Sequence, residues 1–395
     1  MFAIRAMGAV RTVPSLTIQR NSPAVSIQRR SLFVVMLAAT TPLAHTRLVL
    51  AQPQHRTIDS LMAAYAAPGG PGASVVVMRD GRVEYMKGSG FAEVETRILA
   101  TPETNFRLAS LSKQFTATAV MLLVTDGKLH YDDEILSLLP GLPLLARGVT
   151  LRHLLTHTSG LPDYEDFVPD SQTAQVHDLD IPGLIAHASA AKFPPGTRYD
   201  YSNTGYGLLA LIVERASGKR FADVLHDRIF APLGMTNTVA YEDGRSTVAN
   251  RAYGYSVNAS GLRRTDQSST SAVLGDGGIY SSVADLARWD RAIEQHALVG
   301  TEQQRQAWTP PSLPNGGHSE YGFGWFVDRD HETMRVRHHG ESRGFTNAII
   351  RYPERRLAVV VLTNRTGGAP WDVGQKIAEL YLDPATGGAA PAWRP

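Results

Sequence analysis

The 395-residue chain contains no cysteine. That excludes disulfides, a thiol nucleophile and cysteine-ligated zinc, while remaining compatible with an oxidising compartment. There is no Gly-rich phosphate loop of the Walker type and no His-Glu-x-x-His pair. No internal repeat or low-complexity tract is present. Charged residues are only 19% of the chain and hydrophobic ones 43%, a balance that suits a globular protein and not a disordered or coiled-coil one. Strong net charge is missing as well. Residues 1–51 hold six Arg, no Lys and no acid, and taking these six from the net +2 leaves a body of −4. A mildly acidic body offers no case for nucleic-acid binding.

The leader itself is informative. Arg29-Arg30 precedes the apolar run Leu32 to Ala39, and Val49-Leu50-Ala51 ends in small residues before Gln52. A basic segment, a short apolar stretch and an A-x-A-like end read as an export signal over 1–51, the paired Arg hinting at a twin-arginine route. The expected location is periplasmic or secreted; the Arg-rich, acid-free composition leaves a mitochondrial transit peptide as the alternative. The apolar run is too short to span a membrane, so no integral membrane segment is expected after leader removal.

The remaining 52–395 can bury a large core, and length alone suggests two domains. A helix is expected near Ile58 to Ala66. Ala73 to Met78 and Val83 to Lys87 flank Asp80-Gly81, a hairpin signature. A short strand around Phe106 leads to an apolar helix, Gln114 to Leu123. Further helices are expected at Leu151 to Leu155, Ile181 to Ala188, Tyr206 to Ala216, Phe221 to Ile229 and Val283 to Gln295. Strands follow at Tyr321 to Val327, Met334 to His338, Phe345 to Arg351 and Leu357 to Leu362, then a helix at Val373 to Leu382. Strands at both ends with helices between them imply one sheet built from both termini: an α/β part from about 52–140 and 320–385, and an inserted helical part from about 141–319.

Three constellations carry chemistry. Ser110-Leu111-Ser112-Lys113 puts a hydroxyl one helical turn from an amine, beside unpaired N–H donors at a helix start. A serine near its free pKa needs an adjacent base, and a Lys partly removed from water serves. Taken alone, the same tetrapeptide also fits a helix-capping Ser and a surface Lys. Asp200-Tyr201-Ser202-Asn203 follows a Pro-Pro-Gly turn. Tyr201 can relay a proton if cations favour its phenolate, and Asn203 can donate to a substrate carbonyl and pack on Lys113. Arg337-His338-His339-Gly340-Glu341 ends a strand. Gly340 lets a substrate backbone approach, the Glu341 N–H can join the Ser110 N–H in an oxyanion hole, and His338 can polarise the site. Adjacent His residues on a strand face opposite ways, which argues against a metal. His157 reads as a buried hydrogen-bonding residue.

Ser110-x-x-Lys113, Tyr201-x-Asn203 and His338-x-Gly340, in that order and at these intervals, resemble the three motifs of the serine β-lactamase and penicillin-binding-protein superfamily. The tyrosine form is similar to the class C β-lactamase branch, with its DD-peptidase, D-aminopeptidase and family VIII esterase relatives. The likeness extends from about Ile58 to Leu382 through segments such as Leu154 to Leu161 and Val360 to Arg365. It implies an antiparallel sheet flanked by helices, an all-α part, and a site in the cleft between them. It also implies an acyl-enzyme on Ser110, with Lys113 and Tyr201 handling the proton. Asn203, His338, Gly340 and Glu341 would hold the substrate. No cofactor or metal is implied, and the expected partner is a small-molecule or peptide substrate of a monomer. The third motif departs from the class C pattern, which starts with Lys where this chain has His338. An imidazole holds a substrate carboxylate less firmly than a permanent ammonium. The expectation is therefore a serine hydrolase of esters or D-amino-acid peptides more than of β-lactams. The alternative is a catalytically weak relative that binds cell-wall peptides or a partner.

Overall fold

Asp80 and Gly81 both take positive φ, 52° and 69°, the pairing a tight hairpin turn demands. They join β1 (Ala73–Arg79) to β2 (Arg82–Ser89). The computed structural model describes residues 53–382 except Ser260 and Asn315, and these belong to one compact unit. The leader at 1–51 lies outside the described residues.

Four strands from the C-terminal part complete the sheet: β3 (Phe326–Asp330), β4 (Thr333–Ser342), β5 (Phe345–Tyr352) and β6 (Leu357–Thr363). The order is β3-β4-β5-β6-β1-β2, antiparallel throughout, so β1 pairs with β6 from Ala73↔Thr363 to Arg79↔Leu357. The central strands are apolar at successive positions because both sheet faces are covered. Val75, Val77, Val359 and Val361 pack with α1 (Pro53–Met62) and with the C-terminal helix Pro370–Leu382. Val76, Met78, Val360 and Leu362 face the larger core.

The nucleophile segment enters from Phe106–Arg107 through a single 3₁₀ turn, Ala109–Ser112, into α2 (Lys113–Thr125). Every residue of α2 from Lys113 to Leu123 is buried, as expected of a helix apolar on nearly all sides. Beyond it lie short helices at Leu151–Leu155, Ile181–Ile185 and Phe221–Leu225, the long α3 (Asn203–Ser217), and α4 (Val283–Glu294). Gly218 closes α3 in the left-handed conformation, φ 71°.

Two expectations change. The segment between 141 and 319 is not purely helical. Val239–Ala240 and Ile279–Ser281 form a small sheet with Phe106–Arg107, and Tyr255–Asn258 pairs with Gly261–Arg264. The strand expected at Tyr321 to Val327 starts only at Phe326. Side chains at two glycines would prevent the looped path before it. A Cβ on Gly322 would lie 2.0 Å from the Ala307 carbonyl oxygen, and one on Gly324 2.8 Å from that of Lys113.

Candidate active site

Ala109, the residue before Ser110, has φ 51°, a conformation that costs a non-glycine residue about 1–3 kcal/mol and persists only where the surroundings enforce it. The enforcement is visible. Asn347 on β5 donates to the carbonyls of Arg107 and Leu108 at 2.8 and 3.3 Å, while its own Oδ1 accepts from Thr363 N–H. The Leu108 N–H is bound by Ile279 O at 2.8 Å. Turn, sheet and helix are thus tied together immediately before Ser110.

Lys113 is fully buried. Its Nζ donates to Ser110 Oγ at 3.1 Å, Asn203 Oδ1 at 2.8 Å and the Asp276 carbonyl at 2.9 Å. Three acceptors match the three hydrogens of an ammonium, and among the described residues no carboxylate lies within ion-pair distance. Lys113 Nζ is thus held entirely by dipoles, one of them the Ser110 hydroxyl. Asn203 opens α3, and its N–H is bound by Asp163 Oδ2 at 2.7 Å. Its Nδ2 donates to Glu165 Oε2 at 3.3 Å, so one side chain links Lys113 to a carboxylate in the cleft.

Tyr201 is half-buried, with the Lys113 Nζ 5.1 Å from its ring centroid. Its hydroxyl makes no hydrogen bond among the described residues. The ring sits between His157 (4.2 Å between centroids) and Phe326 (6.3 Å, near-parallel). His338, expected to face substrate, is 1% exposed and fully committed. Its Nδ1 lies 2.6 Å from His339 O and its Nε2 2.9 Å from Tyr321 Oη. Only a ring protonated on Nδ1 satisfies both, with Tyr321 donating to Nε2. Burial, then His339 and Lys113, hold its pKa well below the ordinary imidazole value, so His338 is a neutral, internally bonded group.

Gly340 does admit a backbone, and that backbone is the chain's own: a Cβ there would lie 2.2 Å from Leu108 O. The next residue, Glu341, is exposed and lines one cavity with Ser110, Asn203, Glu165, Thr270 and Gly277. The structure therefore places Ser110, Asn203 and Glu341 on one cavity, with Lys113 bonded to the first two and the Tyr201 ring 5.1 Å from Lys113 Nζ, while Gly340 packs on Leu108 and His338 on Tyr321. Sequence reasoning missed Glu165, Asp276 and Tyr321. Glu165 lies on the cleft surface among crowding protein, and that crowding, then Asp163 beside it, raises its pKa. Asp276 is buried, accepts from Tyr164 Oη at 2.9 Å, and is pushed by burial up to about 8.

A model of the Beta-lactamase family matches residues 56–381. The chain belongs to that family. Among curated proteins it is 36% identical to "Penicillin-binding protein 4*" of Bacillus subtilis (strain 168), over 74% of this chain and 68% of that one. It is 30% identical to a D-aminopeptidase of Gluconobacter oxydans (strain 621H), over 76% of this chain but only 57% of the relative's length. Among solved structures, D-amino acid amidase from Ochrobactrum anthropi SV3, crystallised with L-phenylalanine amide, superposes with a TM-score of 0.71 at 26% identity. That match covers 82% of this chain and 98% of that one. The fold is thus the β-lactamase/transpeptidase-like one, and the chain is a serine hydrolase of that family.

Proposed function

We propose that this protein is a serine hydrolase that cleaves amides and peptides of D-amino acids bearing a free α-amine, through an acyl-enzyme on Ser110. The observation that carries the reading is the hydrogen-bonded chain from Ser110 Oγ through Lys113 Nζ to Asn203 and on to Glu165, which lines the same cavity as Ser110. Ser110 Oγ attacks the substrate carbonyl as its proton passes to the Lys113–Tyr201 pair. The N–H groups of Ser110 and Glu341 hold the tetrahedral oxyanion. The proton then goes to the departing amine as the C–N bond breaks. Water, activated by the same pair, releases the acid and restores Ser110.

Charge supports the substrate side. A neutral His338 with both nitrogens occupied is a poor clasp for a substrate carboxylate. A cleft carboxylate at Glu165 suits an ammonium, and the D-aminopeptidase and D-amino acid amidase relatives fit that polarity. Carboxylic esters of the same acyl groups would follow the same route with an easier leaving group. The leader read from the sequence supports action in the periplasm or outside the cell.

The test compares D-phenylalanine p-nitroanilide with its N-acetylated form and with a chromogenic cephalosporin, using Ser110→Ala as the control. Turnover of the free-amine substrate that Ser110→Ala abolishes, and that N-acetylation lowers at least about tenfold, is the expected result. Equal rates with and without the acetyl group, or faster cephalosporin hydrolysis, would refute the substrate assignment. Activity surviving in Ser110→Ala would refute the acyl-enzyme itself.

A further inference from the structure

The chemistry proposed above requires the Tyr201 hydroxyl to reach the Lys113–Ser110 pair, and the Tyr201 ring centroid stands 5.1 Å from Lys113 Nζ, yet Tyr201 lies in a segment, 199–202, with no regular secondary structure. What holds it comes from 44 residues earlier in the chain. The carbonyl of His157 accepts from the N–H of Asp200 at 2.9 Å. The Nδ1 of the same residue accepts from the N–H of Ser202 at 3.2 Å. These two bonds grip the backbone on either side of Tyr201, and the imidazole between them lies against the Tyr201 ring, 4.2 Å between centroids and tilted 36°.

The rest of His157 suits a fixed support and not a proton carrier. Because Nδ1 accepts, the ring proton is on Nε2, which has no hydrogen-bond partner among the described residues and faces a wall of rings. Tyr206 and Tyr321 lie 5.1 and 4.4 Å away by centroid. His157 is 2% exposed, and burial followed by the charge of Lys113 keeps its pKa well below the ordinary value, so it stays neutral. Its backbone has φ 56°, the left-handed region that a histidine adopts at a cost. That geometry is what lets carbonyl and ring of one residue reach the same short segment. A residue selected only to fill the core would need neither the left-handed turn nor the acceptor.

We infer that His157 is a positioning residue that sets the placement of Tyr201 by gripping Asp200 and Ser202 and backing the phenol ring. The inference rests on the reading of Tyr201 as the proton relay, and it assigns His157 no contact with substrate.

A double-mutant cycle tests it, with D-phenylalanine p-nitroanilide as substrate. His157→Phe keeps a ring but leaves the Ser202 N–H without an acceptor. His157→Asn tolerates the left-handed backbone and offers Oδ1 near the place of Nδ1. A misplacement of about 1 Å costs on the order of 10²-fold in rate, so His157→Phe is expected to lower kcat by about 10–100-fold with KM changed less than about threefold. His157→Asn should recover most of that loss. In a Tyr201→Phe background, adding His157→Phe should cost less than about threefold more, since the group being positioned is already gone. Losses that multiply in the double variant, or an effect confined to KM, would overturn the inference. Should His157→Phe fail to fold by circular dichroism, His157→Gly, which removes the same acceptor and takes the left-handed backbone freely, completes the same cycle with the same expected outcomes. A Tyr201→Phe enzyme with wild-type kcat would overturn both this inference and the relay role of Tyr201. The Ser110→Ala control separately decides the acyl-enzyme.

Discussion

Gly340→Ala is the most informative single change, because the structure fixes both where the added methyl goes and what resists it. An ideal Cβ at position 340 would lie 2.2 Å from Leu108 O and 3.0 Å from Leu111 Cδ1, against about 3.4 Å for ordinary contact. Relief thus requires about 1 Å of separation between β4 and the turn that carries Ser110. Leu108 O is held by Asn347 at 3.3 Å, so the turn does not yield freely. Nor does β4, paired to β5 through Gly340↔Asn347 and Glu341↔Thr346. Overpacking of this kind costs about 1–3 kcal/mol, a drop in thermal midpoint of roughly 1–4 °C for a protein of this size. On the proposed mechanism the same 1 Å would carry the Glu341 N–H away from the oxyanion at Ser110, and losing one such donor costs about 10²–10³ in kcat. The assay is kcat and KM on D-phenylalanine p-nitroanilide together with a thermal melt, with Gly141→Ala as the control. Gly141 is exposed, has nothing within 4 Å of an added methyl, and takes no positive φ. If Gly340→Ala kept wild-type kcat, or lost activity only in proportion to unfolded protein, the coupling of strand to oxyanion would be refuted.

Three further outcomes follow from other parts of the molecule. Lys113→Met should lower kcat for acylation by about 10²–10⁴-fold, read as loss of labelling by a fluorophosphonate probe; unchanged labelling would exclude Lys113 as the partner of Ser110. Arg351 and Asp290 form a buried pair at 2.6 Å, 3% and 5% exposed, so Arg351→Met should destabilise by about 3–5 kcal/mol in urea melts. Pairing it with Asp290→Leu should recover much of that, and a neutral single variant would contradict the burial argument. Asp276 has a folded pKa of about 8, raised from 3.8, so the folded state keeps a proton that the unfolded chain has already released. Its contribution to stability is therefore full below about pH 4 and is lost as pH rises towards 8. Asp276→Asn should flatten that part of the melting-temperature profile while keeping the acceptor for Tyr164, and an unchanged slope would refute the assignment.

Much of this could be read from residues alone where local chemistry decides. Asp80-Gly81 specified its hairpin, and the apolar runs Phe345 to Arg351 and Leu357 to Leu362 specified two central strands to within a residue or two. The Ser110–Lys113 contact followed from helical spacing. What stayed hidden depends on tertiary neighbours. Asp276 serves Lys113 through its carbonyl, an acceptor every residue owns. Glu165 reaches the cleft from a single 3₁₀ turn, Tyr164–Phe167, too short for any periodicity to encode. His338 read as a cleft residue because its partner, Tyr321, belonged to a segment expected to be a strand, when the close packing of Gly322 and Gly324 makes it a loop. The hairpin Tyr255–Asn258 and Gly261–Arg264 has mostly exposed side chains and so shows little alternation to detect.

The seam between β1 and β6 has a consequence for how the molecule comes into being. Ala73 meets Thr363 across 290 positions of chain, so the middle of the sheet cannot close until nearly the whole described sequence has left the ribosome. Ser110 is anchored through Asn347 and Gly340, both late in the chain, and is therefore unfinished for most of synthesis. Closing so long a loop is slow, because the entropy of bringing the ends together is lost before any strand contact is gained. A nascent chain thus carries its serine without the means to activate it, and hydrolytic capability arrives in one late step with the closing of the sheet.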